Sequence, residues 1–283
     1  MDKLPVEIAA SVLKFLDFNE LIKICETKQL PSNFDCAIRE KRVWKQKSLI
    51  IKTMIDMKKC LKNIEKVKNC TKISFASGNV TNEAMLTLLT EIECLECLSL
   101  DNFMNLDDET MEIIIKKHGK HLKYLSLKGC QYLTNFSLAQ LSRYCNNLLT
   151  LNISECSFSS AGIELISENE NLINSLKVLD VSKCYLLDQG SILPLSKLTN
   201  LKMLSLRNLE WLSSSNLPYI IQNMKNISKV DVRNCDEFTK QSLEQVKSGI
   251  DHPIEIIENT KLIDESSESI RGYLMAMINA QIV

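Results

Sequence analysis

Aliphatic and polar residues alternate in short runs that return along most of this chain. The unit is L-x-x-L-x-L-x-x-(C/N), with positions counted from its first residue. Its cleanest copy is Leu122, Leu125, Leu127 and Cys130. The copies downstream are Leu148, Leu151, Ile153, Cys156; Leu176, Leu179, Val181, Cys184; Leu201, Leu204, Leu206, Leu209; and Ile227, Val230, Val232, Cys235. Upstream, Leu95, Leu98, Leu100, Phe103 fits well and Cys70, Ile73, Phe75, Gly78 fits loosely. The runs begin at residues 70, 95, 122, 148, 176, 201 and 227, in steps of 25, 27, 26, 28, 25 and 26 residues.

Apolar side chains at positions 4 and 6 with polar neighbours give a short strand with one buried face. Apolar residues at three- to four-residue spacing follow, such as Met111, Ile114, Ile115 and Leu138, Leu141, Cys145, which predicts an amphipathic helix after each strand. Thr134, Ser159, Asp188, Ser213 and Thr239 stand where helix N-caps belong. One strand–helix unit cannot cover its own apolar face, whereas stacked units share a continuous core. The steps fall within the range of about 20–29 residues found in leucine-rich repeats. The expected fold class is therefore α/β: a leucine-rich-repeat solenoid over residues 70–252, with a curved parallel sheet inside and helices outside. Small thiols at position 9 fit the tight turn after each strand and read as structural.

Residues 1–48 do not follow the repeat. Pro5 and Glu7 suit the first turn of a helix whose apolar residues are Ile8, Val12, Leu13, Phe15 and Leu16. Asp17 breaks that run, Asn19-Glu20-Leu21 starts a second helix, and Val43-Trp44 closes a third. Residues 49–69 read as a basic helical linker, with an apolar stripe of Ile51, Ile55, Leu61 and Ile64 and a solvated lysine face that includes Lys47 just upstream. Residues 253–283 read as a C-terminal cap or tail. Ile254, Ile256 and Ile257 suit a last edge strand, and Leu274, Met275, Met277 and Ile278 suit a capping helix.

Composition narrows the function. Apolar residues are 45%, charged residues 24%, and the net charge is -1, so nothing points to nucleic acid or an acidic substrate. The lysine-rich stretch also lacks interleaved aromatics. No apolar run reaches the ~18 residues of a membrane span, and the N-terminus does not read as a secretory signal. Eleven cysteines, an odd count, fit a reducing compartment, cytoplasmic or nuclear. The thiols at position 9 form a ladder along the stack and do not converge as a zinc site requires. Of the three histidines, His118, His121 and His252, the first two read as surface histidines, and the Cys94-x-x-Cys97 pair lies on an extended segment. No phosphate-binding glycine loop or nucleophile motif occurs. The expectation is a chain without catalytic residue, metal or cofactor.

Two resemblances sharpen this. The stretch L-K-Y-L-S-L-K-G-C at residues 122–130, followed by Leu133-Thr134, resembles the cysteine-containing class of leucine-rich repeats. The order L-P-x-E-I, V-L-K-F-L-D, E-L, then V-W-K at the N-terminus resembles an F-box, although the polar run from Cys25 to Pro31 departs from that motif. The resemblance implies docking to a Skp-type adaptor, and through it to a cullin scaffold and a ubiquitin-conjugating enzyme. The docking residues it implies are Leu4, Pro5, Ile8, Leu13, Leu16, Leu21 and Trp44. The chain is then the substrate-recognition subunit of a ubiquitin ligase. A plain helical cap on a scaffold or assembly factor is the alternative, since open solenoid ends need covering.

Positions 3, 5 and 7 of each strand point away from the core. Position 5 is small and polar throughout, which makes a trough. Tyr124, Lys128, Met203, Arg207 and Arg233 are the residue types that anchor interfaces there, and they are the candidate contacts for a protein substrate.

Overall fold

Each predicted strand needs its neighbours to bury one face, and the observed sheet supplies them in chain order. In the computed structural model the described residues are 5–26, 31–45, 47–76, 80–235, 238–250 and 252–258. Among them lie nine parallel strands, each paired with the next: β1 (Ser48–Ile51), β2 (Lys72–Phe75), β3 (Cys97–Ser99), β4 (Tyr124–Ser126), β5 (Thr150–Asn152), β6 (Val178–Asp180), β7 (Met203–Ser205), β8 (Lys229–Asp231) and β9 (Glu255–Ile257). The register aligns position 4 of every unit. Leu49, Ile73, Leu98, Leu125, Leu151, Leu179, Leu204, Val230 and Ile256 form one column across the sheet. All nine are buried.

Four short helices precede the sheet: α1 (Val6–Leu13), α2 (Phe18–Glu26), α3 (Ser32–Ile38) and α4 (Lys41–Trp44). Between the strands run α5 (Met54–Lys62), α6 (Ile64–Val67), α7 (Asn82–Glu91), α8 (Asp108–His118), α9 (Asn135–Tyr144), α10 (Ser160–Ser167), α11 (Glu170–Ser175), α12 (Ile192–Ser196), α13 (Leu217–Ile221) and α14 (Lys240–Ser248). Strands stack at ~5 Å while helices need 8–10 Å, roughly. A sheet backed by helices on one side therefore curves. The core runs unbroken from Ala9 in α1 to Ile256 in β9.

Three of the five caps the sequence announces bind as expected. Thr134 accepts from the Phe136 amide, Asp188 from Gly190, and Thr239 forms a reciprocal capping box with Ser242. Ser159 holds the N-cap position without a side-chain cap bond. Ser213 does not: α13 starts later, at the Asn216 cap, and Ser213 accepts the Asn216 amide within the preceding turn. After β3 to β8 the turn passes through positive φ at position 8, at Asn102, Gly129, Glu155, Lys183, Asn208 and Asn234. At Gly129, φ +72°, a Cβ would stand 2.4 Å from Asn102 Oδ1, so a larger residue would have to push the Asn102 amide aside.

The position 9 thiols are hydrogen-bond donors. Cys130, Cys156, Cys184 and Cys235 donate to the position 6 carbonyls of the preceding repeat, Leu100, Leu127, Ile153 and Leu206, at 3.1, 3.0, 3.1 and 3.2 Å. Each satisfies a carbonyl in a site too tight for a larger polar group. Burial pushes Cys130 and Cys184 up to about 12, so they stay protonated donors.

The stretch 49–69 differs from its expected linker form. It opens as strand β1, and Thr53 with Asp56 forms a capping box that starts α5, so it is built like a repeat unit. Ile51 belongs to the sheet core, Ile55 is exposed, and Lys47 is buried. The Lys47 ammonium donates to the Lys14 and Leu16 carbonyls at the end of α1, which ties the helical module to the first strand. The expected edge strand at Ile254, Ile256 and Ile257 is present as β9. The capping helix expected around Leu274, Met275, Met277 and Ile278 lies outside the described residues.

His118 is not on the surface. It is buried at the end of α8, and its Nε2 lies 2.8 Å from the Leu89 carbonyl of the preceding repeat. A carbonyl only accepts, so Nε2 carries the proton, and the buried Nδ1 has no partner. Burial first, and then Lys117 and His121 nearby, hold this imidazole below its ordinary value of 6.5, against the pull of the Leu89 carbonyl. In the unfolded chain it protonates more readily than in the fold. Its contribution to stability is therefore complete above 6.5 and is lost as pH falls from there through the folded-state value. The urea midpoint should drop between about pH 7.5 and about pH 5.5, and His118→Gln, which keeps a donor for Leu89, should drop less.

Candidate interaction surfaces

The N-terminal module packs α1 against α3 and α4. Ala9, Ala10 and Leu13 form the inner face of α1. Its outer face is also apolar. Ile8 is 49% exposed, Val12 one turn later 47%, and Phe15 in the turn beyond the helix 91%. An exposed phenylalanine beside two aliphatics forms an apolar stripe facing water, which a solvated helix normally avoids.

The sequence-derived docking set divides on this structure. Leu4 lies outside the described residues. Pro5, at the N-cap of α1, and Ile8 are exposed, and Leu16 is half-buried. Leu13, Leu21 and Trp44 are buried inside the module and do not face outward as expected. The bundle is small, and these are the side chains large enough to fill its centre. The Trp44 indole donates to the Ile38 carbonyl at 2.6 Å and meets Phe18 edge-on, with ring centroids 6.0 Å apart. Val12 and Phe15 belong to the exposed stripe but not to the sequence-derived set. Their signal was that α1 is apolar on two sides, at 8, 12, 15 and at 9, 13, 16, where one core-facing stripe suffices.

The second surface is the concave face. Position 5 forms a wired polar floor. Asn152 Oδ1 accepts from the amide and hydroxyl of Ser154 at 3.0 and 2.7 Å. Asp180 Oδ1 accepts the Ser182 amide at 3.0 Å, and the Ser182 and Ser205 hydroxyls meet at 2.7 Å. Asp180 is fully buried, and burial raises its carboxyl despite the Ser182 bonds.

The candidate substrate contacts fall into two groups. Tyr124 is half-buried on β4, and Lys128 in the following turn shares Glu155 with Lys183, at 3.5 and 3.2 Å. Burial opposes ionisation of Glu155, but the two lysines outweigh it and hold the carboxyl below its ordinary value. Three strands away, roughly 15 Å at the usual spacing, Arg207 and Arg233 converge on Asp231. Arg233 binds it through Nε and Nη2 at 3.0 and 2.7 Å, and Arg207 Nε stands at 3.8 Å. These guanidiniums are compensated by an internal carboxylate and are less available as anchors than their residue type suggests. Met203 is a correction. It occupies position 3 of β7, pointing away from the core, yet is only 1% exposed, so no partner reaches it as the surface stands.

Among the described residues no cluster of His, Cys, Asp and Glu fits a metal ion, and no helix is long and apolar enough to cross a membrane. Burial raises the thiols of the C-x-x-C pair, Cys97 to about 11, which is opposite to what a reactive thiolate needs.

A parallel sheet with one aliphatic column, a left-handed turn after the strands and helices on its outer side define a leucine-rich-repeat solenoid, here with a helical module at its N-terminal end. No family model matches the chain. It is 26% identical over 118 residues to F-box/LRR-repeat protein 12 of Arabidopsis thaliana, a stretch that is 42% of this chain and 29% of that relative. The match thus spans under a third of the relative's length. Among solved structures the chain is similar to the complex of Rad7 and Elc1 in yeast, with a TM-score of 0.51 and 16% identity over 86% of this chain and 73% of that one. An internalin C2 from Listeria monocytogenes gives 0.45 and 16%, over 73% and 84%. The likeness to the yeast complex is one of fold.

Proposed function

We propose that this chain is the substrate-recognition subunit of a ubiquitin ligase, non-catalytic itself, with repeats of the cysteine-containing class. In this reading the N-terminal module docks a Skp-type adaptor, which joins it to a cullin scaffold. The solenoid holds a protein substrate near a separate transferring enzyme, so catalysis is by positioning. The reading places it in the cytoplasm or nucleus. The observation that carries it is the exposed stripe of Ile8, Val12 and Phe15 on a module whose own core is already filled. The F-box order in the sequence and the similarity to an F-box/LRR-repeat protein support it.

Co-purification of the chain with a Skp-type adaptor is the test. Val12→Asp with Phe15→Asp should abolish capture while circular dichroism stays unchanged, because both side chains face water. Burying three apolar side chains of this size in an interface is worth roughly 1.5–3 kcal/mol each, enough for a loss of binding beyond a hundredfold, roughly. A wild-type chain that captures no adaptor ends this reading and leaves a repeat scaffold with a capped end.

A further inference from the structure

The net charge of -1 averages over a surface on which charge is segregated. At the edge where the chain leaves the strands the cations are cancelled, Lys128 and Lys183 by Glu155, Arg207 and Arg233 by Asp231. At the opposite edge, where the chain enters the strands, they are not. Position 2 of each repeat forms one rung there. The amides of Lys123, Leu149, Lys177, Lys202 and Ser228 each donate to the position 2 carbonyl of the repeat before, at 2.8, 2.8, 2.8, 2.7 and 2.9 Å. Lys120, Lys197 and Lys225 stand in the segments that lead into β4, β7 and β8. The acids beside these rungs, Glu96 and Glu255, are held by Lys123 at 3.2 Å and Lys229 at 3.9 Å. Among the described residues, Lys120, Lys177, Lys197, Lys202 and Lys225 form no ion pair. Beside the lysines runs a row of amides. Asn200 Nδ2 donates to Asn174 Oδ1 at 3.4 Å, and Asn226 Nδ2 to Asn200 Oδ1 at 3.3 Å. Each donating amide has a second N–H to offer. At the β3–β5 end this edge opens into a groove of about 390 Å³, lined by Glu96, Lys120, His121, Lys123, Asn147 and Leu149.

We propose that this edge, from the groove beside β4 to Lys225 before β8, binds an extended acidic segment of a protein partner. The unpaired ammonium groups set the sign of the ligand, and carboxylates are the side chains that neutralise them. The rungs set its form. Four strand steps from β4 to β8 cover roughly 20 Å, the length of about six residues of extended chain. The amide row then bonds peptide groups, which a polypeptide presents at every residue. A nucleic acid fits less well. None of these rung and loop residues is aromatic, so no base finds a stacking face, and lysine lacks the fork with which arginine grips phosphate. Helices also end at this edge, and their last carbonyls attract cations. Among the described residues, however, Lys177 alone of the five donates to a carbonyl, that of Asn174 at 3.0 Å. The proposal holds whether or not the N-terminal module docks an adaptor.

Fluorescence anisotropy with the full chain, at about 0.15 M salt, tests this. A labelled peptide of about ten glutamates should bind, and a glutamine peptide of the same length should not. Lys202→Glu with Lys225→Glu, both exposed, should weaken binding at least about tenfold. Lys58→Glu with Lys59→Glu makes the same charge change on α5, also at exposed positions, and should weaken it less than about twofold. Circular dichroism checks that each variant folds. A wild-type chain that does not bind the glutamate peptide would overturn the proposal. So would equal weakening by the two double substitutions, since the attraction would then belong to the whole chain's charge. Tighter binding of an oligothymidylate of the same length, lost on Lys202→Glu with Lys225→Glu, would also overturn it, because the edge would then read phosphates.

Discussion

Leu125→Asp is expected to unfold the middle of the solenoid and not merely to weaken it. Leu125 is completely buried on β4, between Leu98 and Leu151 in the aliphatic column. Removing such a side chain alone costs about 2–5 kcal/mol. A carboxylate in its place meets no cation and adds several kcal/mol more, roughly. The total stability of a domain is about 5–15 kcal/mol. Each repeat contacts only its neighbours, so limited proteolysis should cut first between β3 and β5. Leu125→Ala should keep the fold and lower urea stability by about 2–5 kcal/mol. A Leu125→Asp chain with the wild-type urea midpoint would refute the shared column.

Trp44→Ala is expected to melt the N-terminal module while the repeats stay folded. Deleting a buried tryptophan costs about 3–5 kcal/mol. The Ile38 carbonyl loses its donor at 2.6 Å, and the edge-on contact with Phe18 disappears. Few other large side chains fill this small bundle, so the loss concentrates there. Hydrogen exchange should show lost protection over residues 6–44 and retained protection from β2 to β8. This separates two meanings of the same residue. If protection were unchanged and adaptor capture alone were lost, Trp44 would face the partner, as the F-box resemblance implied. The doubly substituted Val12 and Phe15 chain should show the converse pattern, with protection intact and capture lost.

The architecture was readable because it repeats. Positions 4 and 6 return with the same chemistry at nearly the same step, and a strand needs only that alternation to declare its buried face. The unit that was missed shows the limit. Leu49 and Ile51 carry the pattern on β1, but position 1 falls on Gln46, so the copy looked like a linker. The sheet accepts it because Ile73 and Phe75 of β2 cover it whatever its first residue is.

The surfaces were less legible, for a physical reason. Ile8, Val12, Leu13, Phe15 and Leu16 are alike in hydrophobicity, and only the packing of α1 on α3 decides that Leu13 turns inward and Phe15 outward. Arg207 and Arg233 look like free cations until Asp231, at position 5 of β8, is seen between them. His118 looked like a surface histidine until Leu89 of the preceding repeat was seen to hold it.

By itself the sequence determined the strand–helix unit, its number within one or two, the side of each strand that enters the core and the thiols that close its turns. These follow from local alternation and from short-range sterics. Tertiary structure decided which apolar residues meet water and which charges are cancelled. Those depend mostly on how separate elements and repeats pack, as Leu89 meets His118 and Asp231 meets Arg207, and no local pattern names such partners.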